Sequence, residues 1–324
     1  MISIVIVNWN TRELLKACLK SIFQQTDKNL IEVIVIDNHS ADTSCDMVRE
    51  EFTDVILIEN DRNTGFASAN NQGFQMARGK YVLMLNSDTE ILDNALEKVL
   101  SYAEHNENVG IIGCKLLYPD LRFQNSCFRF PGLLSILLSG TYLSQIFKKS
   151  PVFNQDRYGN QEWFKERNVD CVMGSFLFIQ KKLLDQVGFL DTDFFMYGEE
   201  ADLCYRVKKA GYQIRYYPDT HSIHVWGGSQ KQSELSAWRY IAITRGILLF
   251  ISKNKSLLEG YFCSFLTLLF LIPRVVAWAL ADLLNAARKR TSAVPQLPKA
   301  KLGLFLLKVL VKPAVLLTKW EGKK

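Results

Sequence analysis

Polar clusters interrupt this otherwise apolar chain at a few points where residue types and spacing allow chemistry. Leu83-Met84-Leu85 ends abruptly in Asn86-Ser87-Asp88, a turn with one carboxylate. Hard divalent cations such as Mg²⁺ or Mn²⁺ take oxygen ligands and few protein groups, so this turn suits an ion that bridges a diphosphate. A solvated turn aspartate is the plainer alternative. Glu199, Glu200 and Asp202 cluster where a helical pattern begins. Acids complement the dipole of a first helical turn, and one of them in a crowded, partly apolar site can instead serve as a general base. His224 stands before two glycines and, as a neutral imidazole, can reach back to a metal, although a lone histidine is more often structural.

Two more segments could hold a nucleotide. Asp37 closes the apolar run Ile31–Ile36, where a carboxylate can accept a hydrogen bond from a pyrimidine imide or simply cap a turn. The stretch Asn63 to Gly73 is a turn feeding a helix rich in small residues, which let backbone approach a ribose or diphosphate, or merely let a helix pack tightly.

The elements that position these residues follow from periodicity. Short apolar runs near 2–8, 31–37, 55–59, 81–86 and 109–116 alternate with amphipathic helical patterns, which predicts a βα repeat and a parallel sheet covered on both faces. Thr11 and Asp93 are expected to cap helices burying Leu15, Leu19 and Ile22, and Leu96, Val99, Leu100 and Ala103. Ligands of such sheets bind at the carboxyl ends of strands, where Asp37 and Asn86–Asp88 stand. From 117 to 235 the alternation gives way to Pro/Gly-punctuated segments, with one helix near 199–210 and a strand near 212–217. This divides the chain into a nucleotide-binding half (1–116), an acceptor-binding half (117–235) and a basic, apolar helical tail (236–324).

Composition narrows the function classes. With 48% hydrophobic residues the chain has material for a large core, and disorder is excluded as its main state. Between Lys253 and Lys324 there are 13 Lys/Arg against 3 Asp/Glu, so this +10 segment exceeds the net +6 of the whole and leaves the preceding residues at about −4. That argues against nucleic acid as the partner and for an anionic membrane surface met by the tail. Residues 260–272 carry no charge, but Glu259, Pro273-Arg274 and Asp282 interrupt the ~20 residues that a simple span requires. Leu302, Phe305, Leu306, Val309 and Leu310 recur at the spacing of an in-plane interfacial helix, with Lys308 and Lys312 on another face. The 7 cysteines form no C-x-x-C pair or regular framework, which fits reduced thiols, and the N-terminus lacks the features of a signal peptide.

In this order, Ser-Ile-Val-Ile-Val-Asn-Trp-Asn, Ile-Asp-Asn-His-Ser, Asn-Thr-Gly-Phe-Ala with Asn-Asn-Gln-Gly, Leu-Asn-Ser-Asp, Gly-Ser-Phe-Leu-Phe-Ile, Gly-Glu-Glu-Ala-Asp-Leu-Cys and His-Val-Trp-Gly-Gly-Ser resemble the family 2 glycosyltransferases, especially their rhamnosyltransferase-like branch, over roughly residues 1–230. The resemblance implies a GT-A fold: a Rossmann-like α/β architecture with a mostly parallel sheet flanked by helices, here followed by a membrane-associating tail. It implies Glu200 as catalytic base and Asp88 with His224 as ligands of Mn²⁺ or Mg²⁺. Asn8, Asp37, Asn38, Asn63, Gly65, Asn70, Asn86, Glu199 and Asp202 fall to substrate binding. The implied reaction is an inverting transfer from a nucleotide-diphosphate sugar, dTDP-L-rhamnose first and a UDP-hexose next. Its expected acceptor is a lipid-linked saccharide at the cytoplasmic face of the cell membrane. Asn86 departs from the commoner acid and Glu200 from the commoner Asp, and for that reason a non-catalytic sugar-nucleotide-binding subunit is the rival reading. A nucleotidyltransferase should carry a Gly-rich basic loop after the first strand, where this chain has Asn8-Trp-Asn-Thr-Arg12.

Overall fold

The computed structural model describes residues 1–141, 143–147, 150, 153, 163–225 and 235–287. The basic linker 288–301, the expected in-plane helix around 302–312 and the glycines after His224 lie outside the described residues. In chain order the elements are β1 (Ile2–Asn8), α1 (Arg12–Gln25), β2 (Ile31–Asp37), α2 (Ser44–Glu51), β3 (Val55–Glu59), α3 (Phe66–Met76), β4 (Tyr81–Asn86), β5 (Thr89–Ile91), α4 (Ala95–His105) and β6 (Val109–Leu117). There follow β7 (Phe123–Gln124), β8 (Cys127–Phe128), α5 (Leu133–Gly140), α6 (Leu143–Ile146), β9 (Arg167–Asn168), β10 (Cys171–Val172), β11 (Phe176–Gln180), α7 (Lys181–Val187), α8 (Glu199–Lys209), β12 (Gln213–His224), α9 (Leu235–Asn254) and α10 (Leu257–Ala287).

The five strands expected from the first 116 residues form with bounds matching to within a residue. They join one sheet in the order β3-β2-β1-β4-β11-β6-β12-β5. Strand residues alternate between its faces. Ile4, Ile6, Val33, Val35, Leu83 and Leu85 pack with the apolar stripe of α1 and with α4 on one face. Val5, Ile34, Ile36 and Met84 pack with α3, α8 and α9 on the other.

The sheet is mixed rather than wholly parallel. β11 enters antiparallel between β4 and β6, with Phe176 opposite Leu85 and Phe178 opposite Ile112. Its residues Phe176–Gln180 are all buried, and it stands outside the βα alternation that announces the strands of the first 116 residues. Because β11 sits at the centre of the sheet begun by the first half, the boundary at 116/117 marks no structural division. Nor does 235/236, since Leu248, Leu249, Phe250 and Ile251 of α9 are almost fully buried in the same core as Val5. The strand expected at 212–217 runs on to His224 through register shifts against β6.

Two caps differ from expectation. Thr11 occupies the N-cap position of α1 without a capping bond, its hydroxyl donating instead to Asn8 Oδ1 at 2.6 Å. Asn94, not Asp93, holds the N-cap position of α4, and Asp93 pairs with Lys98. Pro273 lies inside α10 without ending it.

Candidate active site

Strand register brings the polar residues to one edge. Asn8 lies opposite Asp37 and Val7 opposite Asn86 at the carboxyl ends of β1, β2 and β4. β11 runs the other way, so Ser175 just before it meets the same edge, its carbonyl accepting the Asn86 N–H at 3.3 Å. β12 returns antiparallel to β5 with His224 opposite Thr89, and this closes the corner.

Asp37 is 2% exposed and is aimed by two donors. Asn8 Nδ2 donates to its Oδ2 at 2.7 Å and the Ser40 N–H to its Oδ1 at 2.7 Å. Asn8 also accepts from Thr11, and the Thr11 and Ser87 hydroxyls lie 2.9 Å apart, so a chain of hydrogen bonds ties the Asp37 carboxylate to the turn that holds Asp88. Neither Thr11 nor Ser87 stood out in the sequence, where each reads as an ordinary cap or turn residue.

In the corner itself, Asp88 Oδ1 lies 3.3 Å from His224 Nε2, and both residues are buried, at 9% and 5% exposure. Asn86 Nδ2 is 3.4 Å from the same ring nitrogen, and Asn86 Oδ1 is buried without a hydrogen-bond partner. His224 Nδ1 lies 2.7 Å from Gln124 Oε1. An amide oxygen only accepts, so Nδ1 carries a proton, and in the neutral form of the ring the Nε2 lone pair faces Asp88. Two acceptors facing each other beside an orphaned amide oxygen fit a shared cation, and two ~2.1 Å metal bonds at a right angle would set such donors roughly 3 Å apart. Among the described residues no group of three His, Cys, Asp or Glu side chains converges on a metal. Asp88, His224 and the Asn86 amide are therefore the donor set that fits Mn²⁺ or Mg²⁺.

Glu200 stands beside this edge on α8. Its Cβ lies 3.8 Å from where a Cβ on Gly174 would stand, one residue before Ser175. It is half-buried, and its Oε2 accepts the Gly198 N–H at 3.2 Å. Burial raises its pKa against the lowering effect of that backbone bond. Glu199 is 4% exposed with Oε2 unpartnered. Burial first, then the neighbouring Glu200, raises the Glu199 pKa well above the usual carboxylate range, so of the two Glu199 keeps its proton.

Other residues expected at the substrate also make bonds within the scaffold. Asp202 Oδ2 accepts from Arg206 Nε and its Oδ1 from Asn254 Nδ2, both at 2.8 Å, which commits it to holding α8 against α9. Asn38 donates to Asn63 Oδ1 at 3.0 Å and accepts from the Thr64 N–H at 2.9 Å, so it latches the loop before α3. Asn63 spends its oxygen on the same latch, taking the Gly65 N–H at 2.9 Å. Asn70 is fully buried and donates to the Phe66 carbonyl at 2.9 Å. Gly65 has φ +86°, and a Cβ there would meet the Phe195 ring at 2.7 Å, so its role is a close approach between loops.

The segment before α8 is held from both sides. Asn71 donates to the Leu190 carbonyl at 2.8 Å and accepts the Leu190 N–H at 3.0 Å. Phe66 N donates to the Phe195 carbonyl at 2.8 Å. From α9, Arg245 Nη1 donates to the Asp193 carbonyl at 3.1 Å, and Lys253 pairs with Asp191 and Asp193. The helices after residue 235 thus help set where Glu200 points.

Comparison with known proteins agrees with this architecture. The chain is 24% identical to the N-acetylglucosaminyl-diphospho-decaprenol L-rhamnosyltransferase of Mycobacterium tuberculosis, over 69% of this chain and 76% of that protein. It is 24% identical to the O-antigen biosynthesis protein RfbC of Myxococcus xanthus over 71% of this chain but 18% of that protein. For the first relatives matched, the chain spans less than half of their length. Its fold is similar to that of a mannosyltransferase from Pyrobaculum calidifontis solved with GDP-Man and Mn²⁺, with TM-score 0.56 and 17% identity, covering 98% of this chain and 84% of that one. Residues 3–188, more than half of the 324, match the Glycosyl transferase family 2, and with its GT-A sheet the chain belongs to that family.

Proposed function

We propose that the chain is a metal-dependent, inverting glycosyltransferase of cell-surface polysaccharide synthesis that moves a sugar from a nucleoside diphosphate to a lipid-linked saccharide at the cytoplasmic face of a membrane. The observation that carries this reading is the cation corner of Asp88, His224 and Asn86 at one sheet edge, with Glu200 beside Gly174 next to the same edge. Asp37, aimed by Asn8 and Ser40, takes the nucleobase. Glu200 accepts the proton of the acceptor hydroxyl as its oxygen bonds to the anomeric carbon. The bond from that carbon to the diphosphate breaks on the opposite face, and configuration inverts. A bound Mn²⁺ or Mg²⁺ would neutralise charge on the departing diphosphate. L-rhamnose from dTDP-L-rhamnose is the favoured donor, supported by likeness to the mycobacterial rhamnosyltransferase.

Incubation with Mn²⁺ and a panel of dTDP-L-rhamnose, UDP-glucose, UDP-GlcNAc and GDP-mannose, plus acceptor lipid extract, tests this reading. One donor should release nucleoside diphosphate, with release lost in EDTA and an inverted anomeric signal in the product. Donor binding without turnover across the panel would favour the non-catalytic subunit.

Membrane docking is supported by α10. Leu258, Tyr261, Phe262, Phe265, Leu269 and Ile272 stand exposed at three- and four-residue spacing, the pattern of an interfacial face, and this face lies within the +10 segment. Among the described residues no helix is long and apolar enough to cross a membrane. Flotation with anionic vesicles should carry the protein upward and fail at high salt. Equal binding to neutral vesicles at high salt would contradict surface docking.

A further inference from the structure

Gln124 belongs to none of the motifs that point to the site, yet it is 1% exposed and in direct contact with it. It ends the short β7, which pairs antiparallel with β6 so that Leu116 lies opposite Gln124. Just beyond, Ser126 Oγ donates to the Cys114 carbonyl at 3.0 Å and pins the return of the hairpin. The Gln124 amide oxygen is thereby held 2.7 Å from His224 Nδ1. A neutral imidazole has one N–H, and placing it on Nδ1 leaves Nε2 as an acceptor, 3.3 Å from Asp88 Oδ1.

We propose that Gln124 is a positioning residue for the cation corner: it fixes the ring plane of His224 and its Nδ1–H tautomer, so that Nε2 and Asp88 offer lone pairs to one divalent ion. The proposal rests on the metal reading above. Outer partners of this kind typically change metal affinity by roughly 10–100-fold when removed, because the ligand then has to be ordered and its tautomer selected at the moment of binding.

The test uses the full chain in metal-free form at about pH 8. With His39, His105, His221 and His224 as its only 4 histidines, ¹⁵N imidazole spectra can be assigned by difference with His224→Ala. Calorimetry with Mn²⁺ alone supplies affinity. His224 should carry its proton on Nδ1 in the wild type. Gln124→Met, close in shape but unable to accept, should lose that preference and bind Mn²⁺ roughly 10–100-fold more weakly. Gln124→Glu should keep the tautomer and bind at least as tightly. An Nε2–H tautomer in the wild type, or Gln124→Met with tautomer and Mn²⁺ affinity unchanged, overturns the proposal alone, provided Asp88→Ala loses Mn²⁺. Wild-type protein that binds no Mn²⁺ overturns the metal reading and this proposal together. Should Gln124→Met not fold, the wild-type tautomer and Gln124→Glu still decide.

Discussion

Glu200→Gln removes a proton acceptor while keeping the side-chain outline, and the neighbours of Glu200 determine how much rate is lost. Asp202 cannot substitute, since Arg206 and Asn254 hold both of its oxygens and it projects about 200° around the helix from position 200. Glu199 is 4% exposed and protonated through burial, so it has no lone base to offer. With neither rescue available, the full loss for a positioned general base applies, about 10²–10⁴-fold in turnover, or about 2.7–5.4 kcal/mol in barrier at 1.36 kcal/mol per tenfold. The Gln oxygen can still accept the Gly198 N–H that Glu200 Oε2 accepts at 3.2 Å, so folding and donor binding should hold. Initial rates of nucleoside diphosphate release, donor calorimetry and thermal melts on one preparation separate the outcomes. A variant that melts lower yet keeps full specific activity in its folded fraction would refute Glu200 as the base.

Further predictions concern the scaffold. Gly65→Ala must place a Cβ 2.7 Å from the Phe195 ring at φ +86°. A melt should show destabilisation of about 1–3 kcal/mol, and an unchanged midpoint would contradict the loop packing. Asp202→Ala leaves Arg206 and Asn254 without their carboxylate, so stability should fall by about 1–3 kcal/mol while the turnover of folded protein stays near wild type. Glu199 has a folded pKa raised above its ordinary 4.5, so the folded state holds this proton more tightly than the unfolded chain. That stability is present below about pH 4.5 and is lost as pH rises through the raised value. Glu199→Gln removes the loss, and its melting temperature relative to wild type should climb as pH rises above about 4.5; a pH-independent difference would contradict the raised pKa. The raised Glu200 pKa likewise moves the acidic limb of turnover above the ordinary carboxylate range.

The parallel strands and their carboxyl-end residues are legible because apolar runs alternate cleanly with amphipathic helices: Asp37 and Asp88 each stand at the end of such a run. β11 is not legible as a strand, since it stands in the Pro/Gly-punctuated stretch after residue 117, outside the βα alternation that marks the others. Distinguishing Glu200 from Asp202 by bonding, rather than by order in a motif, required α9, because Asn254 comes from a helix that composition alone assigns to a membrane tail. The roles of Thr11, Ser87 and Gln124 depend on contacts across 76 and 100 residues of chain, which no local pattern encodes. Asn38 and Asn63 stand out as part of a motif, but their side chains bond to each other and to the Thr64 and Gly65 backbone.

The most direct measurement is anomalous diffraction at the manganese edge from crystals soaked in Mn²⁺ and nucleoside diphosphate. A single strong peak should stand between Asp88 Oδ1 and His224 Nε2, now 3.3 Å apart, with the diphosphate bonded to it and the Glu200 carboxylate facing the vacated sugar position. A peak held by other side chains, or diphosphate bound with no ion at this corner, would contradict the site and the mechanism built on it.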